Sequence, residues 1–585
     1  METENHALNR ALFWVGIVFC LSVLAAPVIN TDLFWRLSAG RHFWANFSVP
    51  RADWLSWTMG GHSWSDLEWL AQAVYYPLYR LGGLLPLFML RFVLLCFALY
   101  PAFKILELCG LEKTAFAALP VFALGLYPNS DLRPENFSVL FFTVEFYLLE
   151  KLRTGWAPVY SWKLFAAVSA AFSLWANLHC GFALGLVLAG FYCADFVVSG
   201  FFKRQPQISA KGGALFLIIL AAASGAIANP YGYKVYGALI EYYRALPELS
   251  GVLIEWRPPS PLDPLQLPYL LLLFSAFGML IYDYLKNKRL VYAHAFALAY
   301  FGLSSSAHAR FTVFLSIAAF VSLSSGVGAM VRTVPFEKIK QSALFTAGFC
   351  LFYGFFCVWP RNLSKAPPPG READGLVSYL SANRYFLSAK KLYNPWALGG
   401  VLGWRLAPDY KVFWDGRYIF SLYIKDMRLA LESPEAWAFF AAKYNFELAI
   451  LGRDDRRALV RTVMGGKPVL LQRPEYLLFM PKTDWALVYW DARLLVFVRK
   501  DKTSAEWLKS EELKFVRAGD FSALQNALCM GEARPEEIKE ELKIFAAKPG
   551  LSKPPEEFIE FRDWLGEYPG NCGVPVNSRR TRRHS

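Results

Sequence analysis

From about residue 11 to residue 360 the chain is a succession of apolar runs parted by short polar loops, most of them near the roughly 20 residues that a membrane-crossing helix needs. A chain so built must satisfy its backbone within each segment, and in lipid a helix does that. The expected fold is therefore an α-helical polytopic membrane protein of about eleven spans, near 11–29, 84–103, 113–127, 136–150, 162–178, 181–201, 213–229, 265–285, 290–306, 311–330 and 341–360. The composition agrees, with 55% of the 585 residues hydrophobic.

The formal charge of +14 sits largely in the loops Lys151/Arg153/Lys163, Lys203/Arg204/Lys211, Lys286/Lys288/Arg289 and Arg332/Lys338/Lys340. The positive-inside rule puts such loops in the cytoplasm, so no nucleic acid is expected as a partner. They agree on one orientation, with the N-terminus inside and everything after 361 outside. One stretch, 67–83, breaks the alternation, because three apolar stretches lie between two outer loops. It is short and carries Gln72 and Arg80 behind Asp66 and Glu68, and is expected to lie as a helix on the outer surface.

The expected domains are 1–360 in the membrane with a large first outer loop at 30–83, a Pro-rich linker at 361–370, a soluble α/β domain outside the cytoplasm at 371–566, and a basic tail at 567–585. In the soluble part, 411–414, 446–451 and 494–498 read as strands and 504–566 as helical. There is no internal repeat, P-loop, GxGxxG or CxxC pair. Most cysteines lie in apolar runs and read as packing residues. Cys529 and Cys572 fall together in the soluble part, where pairing depends on an oxidising compartment.

With this orientation the polar motifs gather on the outer face: the 30–83 loop, Asp131/Arg133/Glu135, Asn177/His179, NPYG at 229–232, EWRPP at 255–259 and SSSAHAR at 304–310. Acids, arginines and aromatics collected at helix ends imply a cavity opening outward. Asp32 follows the first span closely, where an acid can act as general base or hold a divalent cation, Mg or Mn, beside a phosphate. Its plainer use is to cap the helix that starts at Leu33, and Asp66 and Glu68 carry the same two readings for the helix after them. Arg133, Arg257 and Arg310 suit a lipid-linked phosphate, against simple snorkelling at the interface. His179 and His308 are bases, ligands or structural groups at helix ends. Glu145 and Asp195 lie deeper in the spans.

The motifs TDLFWRLSAGRHFW, SVPRADWLSW, HSWSDLEWLAQ, LRPENFS, WANLHCGF, NPYG and EWRPPSP resemble those of a group of bacterial multi-pass membrane proteins within the GT-C glycosyltransferase superfamily. The likeness covers roughly residues 10–330. It implies that Asp32 is the catalytic or metal-binding acid of the first outer loop and Asp131, or Glu135, the second. The adjacent acid pair of that superfamily is absent, since Leu33 follows Asp32. NPWALGGVLGWRLAPDYKVFWDGRY with YNFELAILG is similar to the soluble domain of oligosaccharyltransferase catalytic subunits, but the WWDYG signature is missing and protein N-glycosylation is not implied.

The resemblance leads to an integral enzyme of the bacterial cytoplasmic membrane. It would take sugar from a polyprenyl-phosphate donor to an extracytoplasmic acceptor, with Asp32 and Asp131 catalytic and Asp66, Glu68, Arg133, Glu135, His179, Arg257 and Arg310 binding substrate. A flippase for lipid-linked saccharide would instead show repeats and midplane charges. A non-catalytic envelope assembly protein would tolerate loss of Asp32.

Overall fold

In the computed structural model all residues are described except 1, 156–161, 204–205, 252, 332–333, 365–366, 465, 552 and 568–585. Arg204, Arg332, Cys572, part of the linker and the basic tail fall outside the described residues, and with them the proposed pairing of Cys529 with Cys572. The chain divides into two compact units, one of Met1–Arg51 with Trp64–Pro368, the other of Ala52–Ser63 with Pro369–Ser585.

The first unit is helical: α1 (Glu2–Leu24), α2 (Leu33–Asn46), α3 (Trp69–Gly82), α4 (Leu84–Cys109), α5 (Ala115–Leu126), α6 (Glu135–Thr154), α7 (Trp162–Leu178), α8 (Phe182–Lys203), α9 (Pro206–Ala226), α10 (Lys234–Leu249), α11 (Leu267–Asn287), α12 (Tyr292–Ala307), α13 (Thr312–Val331) and α14 (Phe336–Tyr353). This is a multi-pass membrane protein. Among the described residues six helices are long and apolar enough to cross a bilayer by length and composition, namely Ala7–Leu24, Leu84–Cys109, Phe182–Phe201, Pro264–Asn287, Ala309–Val331 and Glu337–Asn362. The stretch from Val313 to Val321 in α13 is buried on every side, as expected of a helix apolar all round and placed at the centre of a bundle.

Helix α3 has 14 residues, about 21 Å at 1.5 Å per residue. It packs on α2, where Gly40 is required because a Cβ would collide with the backbone of Gln72. Trp44 fastens the pair by donating from Nε1 to the Ala73 carbonyl at 2.8 Å.

The second unit holds a four-stranded mixed sheet in the order β1 (Leu392–Tyr393), β2 (Leu448–Gly452), β6 (Leu494–Arg499), β5 (Trp485–Trp490). Strands β1 and β2 are parallel, and the other neighbours antiparallel. A separate hairpin joins β3 (Arg457–Met464) to β4 (Lys467–Pro474). Strand β5 is buried along its whole length, as in a sheet covered on both faces. The stretches 446–451 and 494–498 read from the sequence overlap the strands Leu448–Gly452 and Leu494–Arg499, and 504–566 is mostly helical. Residues 411–414 are not a strand, because Val412 makes only an isolated bridge to Ser56.

That bridge marks the main departure from the sequence reading, which took 30–83 whole as a loop of the membrane part. Residues 52–63 belong to the second unit and are held by a buried triad. Asp53 and Asp415 both meet the Arg417 guanidinium, at 2.6 and 2.8 Å, with all three side chains almost fully buried. Asp53 also accepts from the Leu55 and Ser56 backbone and from Ser56 Oγ. Trp57 Nε1 donates to the Leu392 carbonyl. Arg417→Ala would strand two buried carboxylates, and breaking such a set costs about 3–5 kcal/mol. A clearly lowered denaturation midpoint of the detergent-purified chain is expected, and an unchanged midpoint would show that the triad does not hold the segment.

Candidate functional site

Helix ends of the first unit bring three ion pairs together. Arg36 on α2 donates from Nε to Glu68 Oε2 at 2.8 Å. Arg310, just before α13, donates from Nε to Glu135 Oε2 at 2.9 Å, across 175 residues. Arg133 donates from Nη1 to Glu255 Oε1 at 2.7 Å. These are one cluster, since Glu68, Glu135 and Glu255 all act electrostatically on Arg310, and Arg36 and His179 act on Glu68. Burial pushes the Glu68 carboxyl up, but Arg36, His179 and Arg310 together outweigh it and hold Glu68 below the ordinary carboxylate value. Burial likewise raises Glu255, and Arg133 with Arg310 brings it down to about 2.

The pairs leave donor capacity over. Arg36 is buried, and its Nη1 has no protein partner. Arg310 is bound through Nε and lies over the Trp256 ring at 5.1 Å, so its Nη edge remains for a ligand oxygen. Guanidinium forks with an open edge suit a phosphate, which takes two parallel N–H bonds.

His179, in the turn between α7 and α8, has its tautomer fixed by its neighbours. Trp175 Nε1 donates to Ser138 Oγ at 2.7 Å, and Ser138 contacts His179 Nδ1 at 2.7 Å. The Gly181 backbone N–H also donates to Nδ1 at 3.1 Å. With Nδ1 accepting, the ring proton sits on Nε2, and burial pushes the imidazole down to about 3. His179 is therefore a neutral hydrogen-bond donor. Gly181 is required here, because a Cβ would collide with Ser138 Oγ.

The remaining sequence candidates are placed as follows. Asp32 is the N-terminal flanking residue of α2 but makes no side-chain capping bond; it lies close enough to act on Arg36, one helical turn on. Asp66 turns the chain into α3, accepting at Oδ1 from the Glu68 backbone and from Gln72 Nε2, and its own N–H donates to Tyr231 Oη. Asp131 accepts at Oδ1 from the Ile29 and Leu132 backbone, and burial holds it above the ordinary carboxylate value despite Arg133. Arg257 is exposed and spends its guanidinium on the Ser250 and Gly251 carbonyls of its own loop, apart from the paired cluster. His308 donates from Nδ1 to the Trp256 carbonyl.

Asp32 and Asp131 are the candidate ligands for a divalent cation. Among the described residues no three His, Cys, Asp or Glu side chains gather to hold a metal ion, and Asp131 Oδ1 is engaged by two backbone N–H groups. Sequence reasoning passed over Arg36 as a site residue, although an arginine inside the apolar run LFWRLSAG was the signal. It also missed Arg91, fully buried on α4 and bound to the Ala26 and Pro27 carbonyls of the first loop.

No family model and no curated protein matches the sequence. Solved structures do match. The Archaeoglobus fulgidus oligosaccharyltransferase tethered to an acceptor peptide containing the NVT sequon aligns over 92% of this chain and 85% of its own, at 11% identity and a TM-score of 0.54. Archaeal AglB from Archaeoglobus fulgidus, in complex with an inhibitory peptide and a dolichol-phosphate, aligns over 98% and 87% at 10% identity, with a TM-score of 0.52. ArnT from Cupriavidus metallidurans bound to undecaprenyl phosphate aligns over 86% and 100% at 12% identity, with a TM-score of 0.47. Over most of its length the chain has the fold of the Archaeoglobus fulgidus oligosaccharyltransferase.

The His179 geometry makes stability pH-dependent. An unfolded imidazole takes a proton below about 6.5, which the folded one, at about 3, refuses. Unfolded chains thus bind more protons, and stability falls as pH drops from about 6.5 towards 3, by up to about 1.4 kcal/mol per unit. Glu255, held at about 2, adds a loss only below the ordinary carboxylate range. Melting curves of the detergent-solubilised chain should fall between pH 6.5 and 5, and His179→Gln should flatten that fall. An equal fall in the variant would assign it to other groups.

Proposed function

We propose that this chain transfers a sugar from a polyprenyl-phosphate donor to an acceptor on the outer side of the bacterial cytoplasmic membrane. The observation that carries the reading is the paired cluster of Arg36, Arg133 and Arg310 with Glu68, Glu135 and Glu255, set at helix ends in a fold whose solved examples include one holding a dolichol-phosphate. The cluster is neutral in sum, so an incoming phosphate meets open guanidinium edges rather than a bare positive field. Paired arginines stay positioned without reorganising when the charge arrives.

In this reaction the acceptor oxygen forms a bond to the sugar's anomeric carbon while the bond from that carbon to the phosphate oxygen breaks. Asp32 takes the acceptor proton as general base. Arg36 and Arg310 bind the departing lipid phosphate, and His179 Nε2–H donates to one of its oxygens. Arg133 holds Glu255 beside Arg310. Asp131 orders the first loop through the Ile29 backbone.

Proposed with it is the full topology: α1, α4, α5, α6, α7, α8, α9, α11, α12, α13 and α14 cross the membrane, with the N-terminus inside and 30–83 and 361–585 outside. The basic inner loops support it. In sealed spheroplasts a cysteine at Lys425 should react with an impermeant thiol reagent and one at Lys288 should not; the opposite pattern would overturn the orientation.

The chemistry is tested by release of labelled sugar from a polyprenyl-phosphate donor. Asp32→Asn should abolish transfer while leaving expression and insertion intact. Arg310→Lys keeps the charge but loses the fork, and should weaken donor binding at least tenfold. Unchanged turnover in Asp32→Asn would remove that residue from the mechanism.

A further inference from the structure

The second unit contains a hollow of about 210 Å³ that includes none of the residues described for the transfer site. It lies at the carboxyl ends of β1 and β2, the parallel pair of the sheet. Pro395 follows the one strand, Gly452 ends the other, and Asp454 and Arg456 come next. In open α/β sheets the crevice outside the carboxyl ends of parallel strands is where ligands are held, because the following loops part there.

Two kinds of surface meet in it. The inner wall is aromatic: Tyr393 and Trp437 stand edge to face with centroids 5.0 Å apart, and Tyr476 and Phe479 continue it. Trp437 is 2% exposed, and its indole Nε1 has no protein acceptor. A buried donor left so is costly, and a ligand oxygen would satisfy it. The rim is charged, with Arg456 donating from Nε to Asp454 at 2.7 Å and reaching Glu475 from Nη1 at 3.1 Å.

We propose that this hollow is a carbohydrate-binding site for a single pyranose ring, neutral or bearing an amine. The volume is below the roughly 300–1,000 Å³ of pockets for drug-sized ligands, which limits the occupant to about one ring. An apolar occupant would leave the indole N–H and the rim unsatisfied. An anionic one would meet two carboxylates against one guanidinium. A pyranose offers a C–H face to the aromatic wall, a ring or hydroxyl oxygen to Trp437 Nε1, and hydroxyl donors to Asp454 and Glu475. The site stands independently of the transferase chemistry, since its residues all belong to the second unit.

The test is saturation-transfer NMR on the full chain in detergent, with methyl glycopyranosides of glucose, galactose, mannose, N-acetylglucosamine and glucosamine as probes and glucose 6-phosphate as the anionic control. At least one probe should take saturation on its ring C–H protons while glucose 6-phosphate takes little. Binding should weaken at least tenfold in Trp437→Phe and in the rim double variant Asp454→Asn/Glu475→Gln, of which Asp454 is exposed and Glu475 half-buried. It should persist in Arg310→Lys, which weakens the donor site and so separates the two. No saturation with any probe, equal saturation in the rim variant, or equal binding of the phosphate would overturn the proposal.

Discussion

Buried charge is stable only when it is answered by a partner, and the helix ends of the membrane unit are built on that constraint. Arg310 and Glu135 are 175 residues apart in the chain, yet neither can be desolvated alone without a cost of several kcal/mol. Their pairing fixes the chain entering α13 against the chain entering α6. Arg36 with Glu68 does the same for α2 and α3, and Arg133 with Glu255 for the loop before α11. The architecture of these helix ends thus follows from neutralisation, and the open guanidinium edges are what the pairing leaves over.

The membrane part was legible because hydrophobic runs report helices directly. Every apolar stretch read as a span falls on a helix, and 67–83 contains the helix Trp69–Gly82. The partners within the cluster were not legible: sequence gives arginines and acids at helix ends but not which of them meet, and Arg257, chemically equal to Arg310, is spent on carbonyls of its own loop. The fixed tautomer of His179 depends on Ser138, 41 residues away, and no local pattern announces it.

In the soluble part the errors have particular causes. The β3–β4 hairpin went unread although Val460, Thr462 and Val463 come before a Gly-Gly pair and Val469 after it, a hairpin signal of the usual kind. The stretch at 411–414 has a strand's composition, but its neighbour is 52–63, so its backbone bonds go to Leu55 and Trp57 instead of a sheet. The dispersion of the second unit over the chain was the deeper obstacle, because composition near residue 50 looks like any interfacial loop.

That dispersion has a consequence for biogenesis. Thr58 bonds to the Phe413 carbonyl, 355 residues later in the chain, and at about 5–20 residues per second that separation is roughly 20–70 s of synthesis. For that interval Leu55 and Trp57 have been made but their partners have not. The segment closes on itself meanwhile, since the Arg51 carbonyl accepts from the Trp64 backbone and Asp53 exchanges bonds with His62 and Gly61. A small self-contained loop of this sort hides part of its apolar surface and keeps its ends together, so a nascent chain carries a preformed half of a distant fold through the whole of membrane insertion.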